Sequence, residues 1–275
     1  RVASRGLGDV YKRQGDISGW DTSNVDDMSD LFDGYSNFND DINKWKTDKV
    51  TNMEGMFRGA SKFNIFIGDW NTSNVTSMKE MFYNATDFDK DISNWNTRSV
   101  TDMSRMFATG TDYDGSYPPS NFNNNGKPLF QLQPADESRW NTSNVKDMTA
   151  MFEGAAKFNL SVSTWDTSNV TSMARMFTKA IVFNNGLDER CSGSQYQSII
   201  WNTTNVSDMN NMFNGSTKFN QYIGNWNTSR VTNMAQMFYD AKAFNQPIGI
   251  WNTKNVIGME AVSYTHLTLP TMFEV

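Results

Sequence analysis

The chain has 275 residues with 24 basic and 30 acidic side chains, which gives a net charge of −6 and a pI near 4.9. This balance argues against a nucleic-acid partner, because phosphate contacts need a basic face. No apolar run approaches the roughly 18 residues that a membrane-spanning helix requires, so we expect no membrane insertion by this chain. The lone Cys191 excludes an internal disulfide.

The two ends of the chain differ from everything between them. GLGDVYKRQ, near the start, and VSYTHLTLPT, near the end, resemble translated sequencing-adapter read-through. We therefore expect residues 1–14 and 262–275 to be non-native or disordered, and residues 15–261 to form one repeat domain. The only histidine, His266, falls in the second of these segments. The repeat domain thus has no histidine for acid–base chemistry or metal binding, and we expect no cofactor and no metal site.

Residues 15–261 consist of a repeated unit, of which WNTSNVTSMKEMF at 70–82 is one copy. Every copy begins at a tryptophan, and six of the eight spacings between tryptophans are 25 residues, the other two being 45 and 36. Counting from tryptophan as zero, Thr at +2, Val at +5 and Met at +8 occur in all nine copies. Met-Phe at +11 and +12 follows in seven copies, and Phe at +18 and Ile or Val at +22 follow in most. The unit is too short to bury its own apolar residues, so we expect the copies to stack.

The order of residues within a copy predicts its local structure. Residues around +22 and the next tryptophan, such as DISNWNT at 91–97, have the composition of a short strand that runs into a turn. Met78, Met81, Phe82 and Ala85 have the i, i+3, i+4, i+7 spacing of a helix of about two turns, with Thr at +6 as its N-cap. The tryptophan column is expected in the core, with an exposed aromatic strip for glycans as the alternative. Core packing is likewise expected for the methionines, rather than copper binding.

The run VTSMKEMFYNATDF at 75–88 resembles the repeat of BspA-like leucine-rich-repeat surface proteins, with Met and Phe replacing Ile, Ala-Phe and Leu. It is still more similar to a related bacterial surface-protein repeat of about 26 residues. The resemblance implies an α/β repeat solenoid, a right-handed stack of about nine turns with a short strand and a short helix in each. It also implies display on a cell surface or secretion, and no defined reaction. The family offers no catalytic residues to transfer.

Two insertions, near 115–134 and 186–197, interrupt the repeat. Both are predicted to follow the aromatic at +18, which is Tyr113 in one and Phe183 in the other, and so to leave the stack at one edge. Insertions on one face of a repeat stack often form its binding face. The candidate binding residues are aromatic and polar: Tyr113, Tyr117, Phe122, Asn123, Lys127, Phe130, Asp188, Arg190 and Tyr196. The alternative is two loops with no binding role.

The sequence leaves several functions open. We expect a non-enzymatic recognition or adhesion scaffold, monomeric, whose partner is a protein or glycan on another surface. A solenoid enzyme acting on polysaccharide is one alternative, and ice binding through the threonines at +2 is another. Carboxylate pairs such as Asp40-Asp41 and Asp89 with Asp91 offer oxygen ligands for calcium, but they do not recur at one position in all copies, which favours solvated surface.

Overall fold

The computed structural model describes residues 15–111, 117–127, 129, 140–185 and 199–261. Each copy of the repeat forms one layer, and we number the layers 1 to 9 from Trp20 to Trp251. Neighbouring layers are joined at position +7 by isolated parallel β-bridges: Asp27 to Asn52, Asn52 to Ser77, Ser77 to Asp102, Asp102 to Asp147, Asp147 to Ser172, Ser172 to Asp208, Asp208 to Asn233 and Asn233 to Gly258. The repeats therefore stack in sequence order, as predicted.

The predicted α/β solenoid of leucine-rich-repeat type is wrong. The described residues contain no α-helix and no β-strand, and the single regular element among them is a 3-10 helix, Asn124–Gly126. Each layer is instead a succession of turns and extended residues. The sequence pattern identified the layers and their register, but it assigned the wrong local structure to them.

The segment from +8 to +15 shows why the apolar stripe does not become a helix. In a helix each N–H reaches the carbonyl four residues earlier. Here Met78, Glu80 and Phe82 donate their N–H groups to carbonyls of the next layer at 2.9–3.0 Å, while Met81 donates to Met78 in a tight turn. Glu80 also has a φ of 55°, in the left-handed region that a right-handed helix excludes. Hydrogen bonds between layers thus replace the bonds that a helix would make.

The predicted strand segment also folds as turns. The N–H of Trp95 donates to the carbonyl of Ile92 at 3.1 Å, and the N–H of Val100 donates to the carbonyl of Thr97 at 3.0 Å. The threonine at +6 is not a helix cap, because the hydroxyl of Thr76 donates to the preceding layer at 3.0 Å. Backbone polar groups are therefore satisfied by close turns and by neighbouring layers.

The predicted core is confirmed. Tryptophan, Val at +5, the residues at +8 and +11, and Phe at +12 are buried in layers 2 to 8, and Trp20, Val25, Val256 and Met259 at the two ends are partly buried. The phenylalanines at +12 form a continuous column with ring centroids 5.6–5.8 Å apart and ring planes within 10° of parallel. Aromatic rings of successive layers thus fill the interior by parallel stacking.

Candidate functional site

Most of the invariant polar residues hold the layers together. The hydroxyl of Thr72 donates to the carbonyl of Asn96 in the next layer at 2.9 Å, and the other described threonines at +2 from Thr22 to Thr228 repeat this bond. From Thr22 to Thr228 these threonines are at most 3% exposed. They are therefore not available as an ice-binding surface. The asparagines at +19 form a second ladder, in which Oδ1 of Asn64 accepts the N–H of Asp89 at 3.0 Å.

Phe122, one of the predicted binding residues, lies in the core. It is 1% exposed and its ring lies 6.1 Å from the rings of both Phe88 and Phe158, the +18 residues of the neighbouring layers. Phe122 therefore occupies the +18 column that was assigned to Tyr113, and it offers no aromatic surface. The adjacent Asn123 belongs to the asparagine ladder, because its Oδ1 accepts the N–H of Asn159 at 3.0 Å.

The extra residues of the two insertions do not fall at one shared position of the repeat. The described chain is interrupted at 112–116, before the +18 column, and at 130–139, after the buried Leu129. The second insertion is interrupted at 186–198, between Asn185 and Ile199. Of the other predicted site residues, Lys127 is exposed, and five lie outside the described residues: Tyr113, Phe130, Asp188, Arg190 and Tyr196.

Tyr117 links the first insertion to layers 5 and 6 through a cluster with two charged side chains. Its hydroxyl donates to Oε1 of Glu153 at 2.7 Å and accepts from Nη2 of Arg175 at 3.1 Å. Arg175 also binds Glu153 with two of its nitrogens. Burial, followed by the hydrogen bond to Glu153, raises the pKa of Tyr117 to about 12. Tyr117 is thus held as a neutral phenol against an ion pair in which Glu153 is buried and Arg175 is partly exposed.

Glu153 and Arg175 belong to a strip along the stack whose side chains differ from layer to layer, some of them exposed and others, such as Ala108 and Ala150, buried. This variable strip consists of positions +10 and +13 in layers 1 to 8: Asp30, Asp33, Gly55, Arg58, Glu80, Tyr83, Arg105, Ala108, Ala150, Glu153, Arg175, Thr178, Asn211, Asn214, Gln236 and Tyr239. Residues at +10 have positive φ in every one of these layers. None of the binding residues predicted from the sequence lies in this strip, although the repeat varies strongly at both of its positions.

The first layers of the variable strip carry a network of ion pairs. Arg58 binds Asp33 with Nε at 2.9 Å and Nη2 at 2.6 Å, and it also contacts Asp30 and Glu80 at 3.0 Å. The hydrogen bond to Asp33 raises the pKa of Arg58. Burial raises the pKa of Asp30, against the opposing charge of Arg58. Charges in this part of the strip are thus largely matched within the protein.

Layers 7 and 8 of the strip carry amides in place of charges. Nδ2 of Asn214 donates to Oδ1 of Asn211 at 2.8 Å and to Oε1 of Gln236 in the next layer at 3.3 Å. Nδ2 of Asn211 donates in turn to Oδ1 of Asn210 at 2.9 Å. Tyr239, at +13 of layer 8, is 41% exposed. One strip therefore presents two chemically distinct surfaces along its length.

A small cleft of about 60 Å³ opens on the surface between layers 5 and 6, lined by Trp140, Asn141, Thr142, Ser143, Thr164, Trp165 and Asp166. Trp140 differs there from the other tryptophans in its hydrogen bonding and in the tilt of its ring. Seven other tryptophans donate their indole N–H to the carbonyl of an apolar residue that precedes the tryptophan of the layer before, as Trp70 does to Ile42, whereas Nε1 of Trp140 is buried without a partner among the described residues. The rings of Trp140 and Trp165 are tilted by 30°, against 4–8° for the other three contacting tryptophan pairs. The stack is therefore distorted at this point.

The carboxylates considered for calcium bind backbone groups instead. Oδ1 of Asp89 accepts two N–H groups from the 117–127 segment, and Oδ1 of Asp91 accepts the N–H of Ser93. Within the described ranges, no three His, Cys, Asp or Glu side chains converge in a way that would hold a metal ion. The same residues include no helix long and apolar enough to span a bilayer.

Comparison with known proteins places the repeats in one family. No curated protein and no solved structure gave a significant match. One family model matches the chain three times in succession, over residues 7–122, 119–190 and 188–268, and so covers nearly the whole sequence. The chain therefore belongs to the repeat family described as Mycoplasma protein of unknown function, DUF285.

Proposed function

We propose that this protein is a non-enzymatic recognition or adhesion scaffold that binds a protein or glycan on another surface through the variable strip. The proposal rests on the different roles that the positions of the repeat have in the structure. The threonines at +2, most asparagines at +19 and most tryptophans bond between layers through their side chains, and the invariant apolar residues form the core. Positions +10 and +13 combine variation between layers with side-chain networks that run along the stack, while single contacts between layers also occur at other variable positions, such as Lys79 with Glu54 at +9.

The chemistry of the strip favours binding over catalysis. Its charged groups are arranged as ion pairs, as in Arg58 with Asp33 and Arg175 with Glu153, and an acid–base set requires groups free to exchange protons. The repeat domain has no histidine to take that role. Preorganised side chains are suited to recognition, because they lose little conformational entropy when a partner binds.

We place the protein on a cell surface or in the secreted fraction, as a monomer. The support is the resemblance of VTSMKEMFYNATDF to repeats of BspA-like and related bacterial surface proteins. Nucleic acid is not the expected partner, because the net charge is −6.

The test is binding of the purified chain to a glycan array and to an array of purified extracellular protein domains. Strip variants Arg58→Ala and Gln236→Ala are compared with Thr76→Val, which changes an exposed hydroxyl outside the strip. We expect a ligand that is retained by the parent and Thr76→Val and weakened by at least one strip variant. Equal binding by all three variants would exclude the strip as the site.

A second set of variants examines the insertions. Deletions are confined to 112–116, 130–138 and 186–198, because removing the 117–127 segment would take Phe122 out of the core. If binding is lost only in these deletions, the insertions and not the strip carry recognition. Turnover of any array glycan, abolished by one point substitution, would show that the protein is an enzyme.

A further inference from the structure

We propose that layers 7 and 8 of the variable strip bind a neutral sugar ring of a glycan, at a patch formed by Asn210, Asn211, Asn214, Gln236 and Tyr239. We call it the amide–tyrosine patch. The inference rests on the proposed function, since it names the ligand class for one part of the same strip. Two features of the patch support it: the direction of the hydrogen bonds between its amide side chains, and the exposed ring of Tyr239 beside Gln236.

The carboxylate of Asp208 fixes the orientation of the whole amide chain. A carboxylate only accepts hydrogen bonds, so Asn210 must turn its NH₂ group towards Oδ1 of Asp208, at 2.7 Å. Oδ1 of Asn210 then accepts from Asn211, and Oδ1 of Asn211 accepts from Asn214. The oxygens of Asn210 and Asn211 are therefore used inside the chain, and the orientation of these amides is not ambiguous.

The chain ends by presenting donors to solvent. Nδ2 of Asn214 donates to Oε1 of Gln236 at 3.3 Å, so the oxygen of Gln236 faces the protein and its NH₂ group faces outward from an exposed residue. Tyr239 lies three residues after Gln236, and its N–H donates to the carbonyl of Gln236 in a turn. Asn211 and Asn214, at the same two positions of layer 7, have side chains in contact, so Gln236 and Tyr239 share one face.

The exposed ring of Tyr239 and the fixed amide donors beside it are complementary to a pyranose ring. Tyrosine provides a rigid apolar face at low entropic cost, suited to stacking on the C–H face of a sugar, and amide N–H groups donate to sugar oxygens. The five residues of the patch carry no charge, and the nearby Lys242 and Asp240 pair with each other at 3.4 Å. The patch residues therefore supply no charge of their own to a polymer, although the side chain of Lys179 in layer 6 reaches Gly215 beside Asn214, and a protein interface needs about 20–30 residues on each side.

The experiment uses cellohexaose, mannohexaose and hexa-N-acetylchitohexaose as neutral probes, with polygalacturonate as the charged one. Binding is measured by saturation-transfer NMR and calorimetry at probe concentrations up to about 10 mM, since single sugar sites are expected near the weak end of the affinity scale. We expect at least one neutral hexaose to bind. Tyr239→Ala and Gln236→Ala should each weaken it about tenfold, a loss typical of one stacking or hydrogen-bonding group.

Two variants separate this role from a structural one. Tyr239→Phe keeps the ring and should retain binding within about twofold, because stacking does not need the hydroxyl. Tyr83→Ala removes the tyrosine at the same position in layer 3, within the charged part of the strip, and should leave binding unchanged. Thermal melting is recorded for every variant, so that a fold defect is not counted as a loss of binding.

The inference is overturned if no neutral hexaose binds, if Tyr239→Ala binds as well as the parent, or if only polygalacturonate binds. The proposed function stands in those cases if another ligand is lost with Arg58→Ala. Both proposals fail together if no glycan and no protein domain depends on any strip residue.

Discussion

Trp95 and Trp140 form a natural pair for measuring what one inter-layer hydrogen bond contributes. Both begin a layer, and they are 0% and 1% exposed. Nε1 of Trp95 donates to the carbonyl of Ile67 at 3.0 Å, whereas Nε1 of Trp140 has no acceptor in the part of the chain that the structure describes. Replacing each by phenylalanine removes the same atoms from the core, so the transfer and cavity contributions to the free energy of unfolding largely cancel.

The difference in the free energy of unfolding between the two variants therefore comes from the hydrogen bonding of the two indole N–H groups. Trp95→Phe loses one bond, worth about 1 kcal/mol, and the carbonyl of Ile67 keeps the N–H of Trp70 at 3.2 Å, so it is not left unpaired. Trp140→Phe removes a buried donor without a partner, which relieves about 1–3 kcal/mol. We therefore expect Trp95→Phe to be less stable than Trp140→Phe by about 2–4 kcal/mol.

The assay is equilibrium urea unfolding, monitored by tryptophan fluorescence and circular dichroism. The unfolding midpoints are compared between variants that have the same m-value. Trp70→Phe serves as a control, because its Nε1 donates to the carbonyl of Ile42 at 3.3 Å and it should behave as Trp95→Phe does. A difference below about 0.5 kcal/mol, or a less stable Trp140→Phe, would refute the reasoning.

Three further predictions follow from local geometry. Gly55→Ala should destabilise the protein by more than about 1 kcal/mol in urea unfolding, because φ is +59° and the added Cβ would clash with Oδ1 of Asp30; an unchanged midpoint would contradict this. The pKa of Tyr117 is raised to about 12, so the contribution of its neutral phenol to the stability of the fold is full below pH 10 and is lost as pH rises through 12. Ultraviolet titration should show one tyrosine that ionises at a higher pH than the others, and this step should be missing in Tyr117→Phe. Thr72→Val should lower the free energy of unfolding by about 1 kcal/mol and Thr76→Val by less than about 0.5 kcal/mol, because the hydroxyl of Thr72 is buried and that of Thr76 is exposed. Equal melting temperatures for the two variants would count against a stabilising role of the buried threonines at +2.

The site shows where sequence reasoning reached its limit. Tyr113 was assigned to the +18 column because it stands 18 residues after Trp95, but Phe122 fills the column instead. One aromatic is interchangeable with another in a sequence pattern, and only packing against Phe88 and Phe158 selects between them. Tyr117 was a predicted binding residue, yet its partners Glu153 and Arg175 lie 36 and 58 residues away.

The sequence by itself determined the number of layers, their register and the identity of the core, because a fixed period forces equivalent residues into continuous columns. The columns of Trp, Val, Met and Phe from Trp45 to Phe238 were readable for that reason. Only the tertiary structure decided the course of the backbone within a layer. The spacing of Met78, Met81 and Phe82 fits a helix and a row of turns equally well, and the choice depends on whether N–H groups bond within the layer or to its neighbour. In this protein the neighbour accepts them, and that information is carried by the stack as a whole and not by any one repeat.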